Sequence, residues 1–162
     1  STTKQKVVVA PAGNSVGARA MMLQSDSTSY EVSGAVADVV QTSAEFQSTD
    51  GIDHGVILSS GAAVSVTGNG TSVDNAASSS NGGVGFLSIP ANDRNGTVVV
   101  KISASADNST FADLITFQTV QASTATSERI AVTGTVARYL RVSYTVGGAT
   151  GSATPIVAFS RR

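Results

Sequence analysis

Two stretches of strict alternation constrain the fold of this chain more than any other feature. In Gly96–Ala106, Val98, Val100, Ile102 and Ala104 point one way, while Thr97, Lys101 and Ser103 point the other. In Tyr139–Val146, Leu140, Val142, Tyr144 and Val146 alternate with Tyr139, Arg141, Ser143 and Thr145. A two-residue period places one set of side chains on one face of a pleated strand, so each stretch reads as a half-buried β-strand. Between them Ala106-Asp107-Asn108-Ser109 has the chemistry of a turn, because Asn and Asp bond to nearby backbone and tolerate positive φ.

The rest of the chain repeats this pattern in shorter pieces. Val56–Leu58 and Ala63–Val66 flank Ser59-Ser60-Gly61, a hairpin signal, and Gly68-Asn69-Gly70 reads as a second turn. Ser78–Gly83 reads as a loop. Val84–Ile89 is a strand stopped by Pro90, which cannot donate to a ladder. After a turn at Asn92–Gly96 come strands at 98–106, 111–120, 128–133, 137–146 and 156–159. No window shows helical amphipathicity with caps. The expectation is an all-β fold, a jelly-roll β-sandwich of about eight strands over residues 52–162, with an extended N-terminal arm over residues 1–51. Phe86, Phe111, Phe117 and Phe159 are expected in or near the core between the sheets. In the arm, Val7–Val9 is a strand before the turn Pro11–Asn14. Tyr30–Val32 and Ala37–Val40 are also read as strands, since Val packs well on a pleated surface.

At 162 residues the chain is long enough for one domain with a core. Only 13% of residues are charged, about half the usual share, and Ser, Thr, Ala and Gly make up the difference. Such a surface suits a subunit packed against copies of itself or a larger assembly; a robust secreted β-domain has the same bias. A net charge of −1 offers no basic field for nucleic acid, and no apolar run approaches the ~20 residues that a membrane helix needs. The absence of cysteine excludes thiol chemistry and Cys-ligated zinc. The opening residues STTKQK carry no signal-peptide pattern, which is the expectation for cytoplasmic synthesis without export.

Candidate chemistry is sparse. His54, the single histidine, lies between Asp53 and Gly55 with Asp50 nearby, but it lacks a visible nucleophile. Asp50, Asp53 and Asp74 offer hard oxygen ligands for calcium at a sandwich rim, without a tight acidic spacing. Ser105-Ala106-Asp107-Asn108-Ser109-Thr110-Phe111 is similar to the Asp-box hairpin of sialidases, in which polar residues brace a turn. Arg138 and Arg141 fall on opposite faces of a strand and so form no single patch. No enzyme and no cofactor is expected. The segments expected to touch a partner are Val7, Val8 and Val9, Met21, Met22 and Leu23, and the C-terminal Arg161 and Arg162.

The runs Val73–Ala91, Val100–Phe117, Ser127–Val142 and Val157–Arg162 resemble a domain of tailed-bacteriophage virion proteins, a galactose-binding-like jelly roll. ARYLRV (Ala137–Val142) is also similar to the discoidin group. The resemblance covers roughly the last two thirds of the chain. It implies a structural virion protein: a capsid decoration, or cement, protein on the head exterior, bound to the major capsid protein as a homo-oligomer, with a trimer favoured. Tail tube, tail tip and head-fibre positions are the alternatives within the particle. A carbohydrate-binding adhesion module is the alternative outside that role, although the Ser-, Asn- and Gly-rich loops depart from sugar-binding relatives.

Overall fold

The structure, a computed structural model, describes the backbone of residues 5–33 and 41–162, and the side chains of residues 6–25, 47, 48 and 51–162. The expected strand at Ala37–Val40 lies outside the described residues. Every element described is a β-strand: β1 (Gln5–Val9), β2 (Arg19–Ser33), β3 (Gln41–Ser60), β4 (Gly68–Asn69), β5 (Val73–Asp74), β6 (Gly83–Ile89), β7 (Val98–Ser105), β8 (Ala112–Thr116), β9 (Thr126–Val132), β10 (Tyr139–Val146) and β11 (Ile156–Arg161).

Two antiparallel sheets form a β-sandwich. The first has the order β1-β2-β3-β11-β6-β9, and the second β4-β10-β7-β8, with β5 also on β10. The pairings β3 with β11, β4 and β5 with β10, β6 with β9, and β7 with β8 nest inside one another. A long hairpin wrapped around a barrel gives this nesting, and it is the jelly-roll connectivity. With β4 and β5 counted as one interrupted strand, the body has the eight strands that the sequence suggests.

The alternating strands fill the space between the sheets as expected. Val98, Val100, Ile102, Leu140 and Val142 are fully buried, and Leu58, Leu87, Ile89, Ile115, Phe117, Val157 and Phe159 complete the core with them. Burying a side chain of this size contributes about 1.5–3 kcal/mol each. Gly85 sits where the sheets approach closely; an added Cβ would fall 2.7 Å from Ile115 Cδ1 and 3.0 Å from Ile102 Cδ1. One polar link crosses this core. The Tyr144 hydroxyl donates to Ser59 Oγ (2.8 Å), which donates to the Pro155 carbonyl (2.7 Å). Burial pushes the Tyr144 hydroxyl above its ordinary pKa.

The first sheet also buries its reverse face. Its edge strands β1 and β9 come together, so the sheet curls into a half-barrel. Inside lie Ala20, Met22, Ile57, Val84, Phe86 and Ala158, with Val8 and Ala10 against them. Phe86 therefore belongs to this second core and not to the space between the sheets, because Val84 and Phe86 alternate with Gly85, Leu87 and Ile89 along β6. Phe111 is also outside the core, half-buried beneath the Arg141 guanidinium at 3.9 Å. The expected hairpin around Ser59-Ser60-Gly61 does not form; β3 pairs with β11, and Val64 bridges to Ala153. Gly68-Asn69 is the strand fragment β4, and the strand expected over 111–120 is confined to Ala112–Thr116. The hairpin fails because the jelly roll sends β3 and β4 to opposite sheets, a long-range choice that local turn residues do not record.

β3 runs without interruption through residues 51 and 52, so the N-terminal segment and the jelly-roll body share a strand. Beyond the body, Ser25–Ser33 pairs with Gln41–Ser48 as a two-stranded ribbon. The register shifts between Leu23 and Ser25, opposite Gly51 at φ +81°. Ile102→Ala is expected to lower unfolding free energy by about 2–5 kcal/mol, measured by urea denaturation; a loss under about 1 kcal/mol would contradict the packing described.

Candidate functional site

The registers of β1, β2 and β3 sort the N-terminal side chains into two sets. Directly opposed residues share a face, so Val7, Leu23 and Ile52 form one cross-strand row, and Val9, Met21 and His54 the next. The alternate residues Val8, Met22 and Asp53 form a row on the opposite face. That inner face is the half-barrel, where Met22 is 0% exposed. The first face is the continuation of the sandwich-core face past the edge of the second sheet, and there Val9 and Ile52 remain 42% and 53% exposed. The expected contact residues thus divide. Val7, Val9, Met21 and Leu23 present an apolar strip, whereas Val8 and Met22 are spent on the protein's own core.

At one end this strip opens into a cleft of about 430 Å³ lined by Pro11, Arg19, Met21, His54, Asn75 and Arg161, with Phe159 and Val56 among its walls. Among the described residues no carboxylate lines it. Arg19 and His54 are both exposed and make no ion pair or side-chain hydrogen bond among the described residues. Arg161 is anchored at the end of β11. It donates to the carbonyls of Ala77 (2.8 Å), Val136 (3.2 Å), Ala137 and Arg138 (3.1 Å), and its buried Nε has no partner. Burial lowers the pKa of this guanidinium from its ordinary value. Arg161 is therefore a clamp on two loops as well as a cleft wall, and Arg162 reaches Asp53 at 3.4 Å.

The carboxylates singled out in the sequence do not converge. Asp53 faces the half-barrel and pairs with Arg129 at 2.9 Å, so it points away from its neighbour His54. Asp74 takes a two-pronged hydrogen bond from Arg138, at 2.7 and 2.6 Å, which holds its pKa at about 2. The Asp50 side chain lies outside the described residues. Among the described residues no group of three His, Cys, Asp or Glu gathers as a metal site. Arg138 and Arg141 engage different partners: Arg138 lies over the Tyr139 ring at 5.0 Å, and Arg141 over Phe111.

The Asp107 turn is built as its motif suggests. One Asp107 oxygen accepts from the amides of Ser109 and Thr110, both at 2.9 Å, and from Ser105 Oγ at 2.8 Å, while Asn108 adopts φ +58°. These hydrogen bonds hold the Asp107 pKa at about 2, below the ordinary 3.8.

Arg94 is the residue that sequence reasoning missed. It is the largest fully buried side chain among the described residues, 1% exposed. Its five N–H donors all reach main-chain carbonyls: Nε and Nη2 to Gly147 (3.2 and 2.9 Å), Nη2 to Gly148 (2.8 Å), and Nη1 to Ser65 (2.9 Å) and Gly151 (2.7 Å). This one side chain ties three loops at one end of the sandwich. Nothing near Asn92–Gly96 marks it, since its acceptors come from segments 29 to 57 residues away in sequence.

No protein-family model matches the chain, and no curated protein matches it either.

Arg94→Ala would take the guanidinium donors from the carbonyls of Ser65, Gly147, Gly148 and Gly151 and leave a cavity where the buried side chain sat. A loss of about 3 kcal/mol or more is expected in urea unfolding; a loss below about 1 kcal/mol would contradict the staple. Because the folded pKa of Asp107 lies below its unfolded value, its contribution is complete above the ordinary carboxylate range and is lost as pH falls through about 2. A carboxyl titration followed by NMR should show a midpoint near 2, with the Ser109 and Thr110 amide shifts moving together with it. A midpoint near 3.8 would contradict the turn geometry.

Proposed function

We propose that this protein is a non-enzymatic structural component of a tailed-bacteriophage virion, a decoration protein on the outside of the head that stabilises contacts between major capsid subunits. One observation carries the reading: the apolar strip of Val7, Leu23 and Ile52 with Val9 and Met21, left uncovered where the first sheet outruns the second. Burial of such a strip against a lattice supplies the driving force, at about 25 cal/mol per Å² of apolar surface removed from water. The jelly-roll connectivity and the resemblance of the body to virion domains support it.

The mechanism is mass action. A ligand that binds the assembled shell and not its dissociated subunits stabilises the shell by RT ln(1 + [L]/Kd), about 2.7 kcal/mol at a free concentration one hundred times Kd. No substrate turnover enters this account. Tail tube, tail tip and head-fibre positions use the same strip, and immunogold labelling of particles separates them from the head. For the carbohydrate-binding alternative, the Tyr139 and Phe111 rings each carry an arginine over the face on which a sugar would stack, which weighs against it.

Expanded heads lacking this protein should bind it saturably in a co-sedimentation assay and gain resistance to heat. Substituting Val9 and Ile52, the two exposed members of the strip, as Val9→Asp and Ile52→Asp should weaken binding by about tenfold or more, with the fold intact by circular dichroism. Absence of binding together with equal robustness of bare and decorated heads would overturn the proposal.

A further inference from the structure

The cleft beside Arg19 is floored by two cross-strand rows of one sheet. Arg19 on β2 stands opposite Val56 on β3, and Val56 stands opposite Phe159 on β11. In the next row Met21 stands opposite His54, and Arg161, two residues after Phe159 in β11, shares a face with it. All of these line a space of about 430 Å³, within the ~300–1,000 Å³ of sites that take small molecules. Two guanidinium groups, an imidazole and a thioether thus meet over an apolar floor.

Arg161 decides what such a site takes. The N–H donors of a guanidinium all lie along the edge of its plane. The terminal nitrogens of Arg161 donate to the carbonyls of Ala77, Val136, Ala137 and Arg138. The remaining donor, Nε, is buried and has no partner among the described residues. With its edge spent on loops, Arg161 has only a face to offer a ligand. A carboxylate or phosphate needs the edge, where it accepts parallel N–H bonds. An aromatic ring needs the face, because its π-cloud attracts a cation lying over it. The other walls suit a ring too. The Met21 sulfur makes favourable contacts with aromatic edges, and Phe159 supplies an aromatic neighbour. Arg19 is exposed, without an ion pair or side-chain hydrogen bond among the described residues, and is free to close over the ring. The protein uses the same contact elsewhere, with Arg141 over Phe111 at 3.9 Å and Arg138 over Tyr139 at 5.0 Å.

We propose that this cleft binds a small, uncharged, electron-rich aromatic ring of the size of phenol or indole. The ring rests on Val56 and Phe159, against the face of Arg161, with Met21 at its edge and Arg19 closing over it. Selectivity follows from which part of each cation is available, and not from the net charge of the site. The row formed by Val7, Leu23 and Ile52 lies outside the cleft and stays available to another surface. Binding needs no virion lattice, so it stands or falls separately from the function proposed above.

Indole is the probe, added to the full-length chain. The chain has no tryptophan, so indole fluorescence reports on the ligand alone. Binding should be saturable, with a Kd of about 1 mM or tighter. Amide NMR shifts should cluster at Arg19–Met21, His54–Val56 and Phe159–Arg161. Phenol should bind at least about threefold more tightly than cyclohexanol, its saturated counterpart, and acetate should not displace indole. Arg19→Ala and Met21→Ala should each weaken indole binding about two- to fivefold, with the fold intact by circular dichroism. Arg161 is left alone because it holds two loops. Absence of saturable binding would overturn the proposal, as would shifts that map to another part of the protein. Equal binding of phenol and cyclohexanol would reduce the cleft to an apolar hole, and displacement of indole by acetate would make it an anion site; either result contradicts the proposal. So would indole binding unchanged in both variants.

Discussion

The structure depends on a sheet that is buried on both faces. Along β6, Gly85, Leu87 and Ile89 meet the second sheet, while Val84 and Phe86 meet the interior of the half-barrel. In β11, Val157 and Phe159 face one core and Ala158 the other. A strand in this position has no polar face and reads as a continuous apolar run, which fits GVGFLSI in β6 and the opening IVAF of β11. Because the central strands are committed on both sides, the first sheet cannot slip by a residue without exchanging its two cores. The strands at its N-terminal end inherit that register, and it fixes which of their side chains are buried and which are left uncovered.

Low charge shapes what holds the loops. With few carboxylates available, two arginines are paired with main-chain carbonyls. Arg94 gathers the loops containing Ser65, Gly147 and Gly151, and Arg161 gathers those containing Ala77 and Ala137. A guanidinium suits this task because its five donors lie in one rigid plane and can satisfy several carbonyls that glycine-rich loops would otherwise bury unpaired. These two side chains therefore give the loops defined shapes without disulfides. The cleft owes its shape to the same device, since Arg161 is both a loop clamp and a wall.

The sequence made the two alternating strands and the all-β class legible because a two-residue period is a local signal, present within each strand. It also marked the Asp107 turn, whose hydrogen bonds span no more than three residues. It left undecided which face each arm residue would take. Val7 to Val9 and Met21 to Leu23 read as one apolar group, and only the pairing of β1, β2 and β3 separates Met21 from the buried Met22. Which side of its sheet Phe86 takes was not legible for a related reason, since one strand's pattern cannot reveal that a sheet has a second core behind it. Arg94 was invisible because its partners are backbone atoms, which carry no residue identity.

In the proposed role the jelly-roll body presents its uncovered apolar strip to a larger assembly. Its two methionines, adjacent in β2 and on opposite faces, report on that claim directly. In the free protein, mild peroxide should oxidise Met21 and spare Met22, with the site resolved by mass spectrometry. In assembled particles carrying the protein, Met21 should become as resistant as Met22. Equal oxidation of Met21 in the free and assembled states would contradict the claim that this face is covered when the protein is at work.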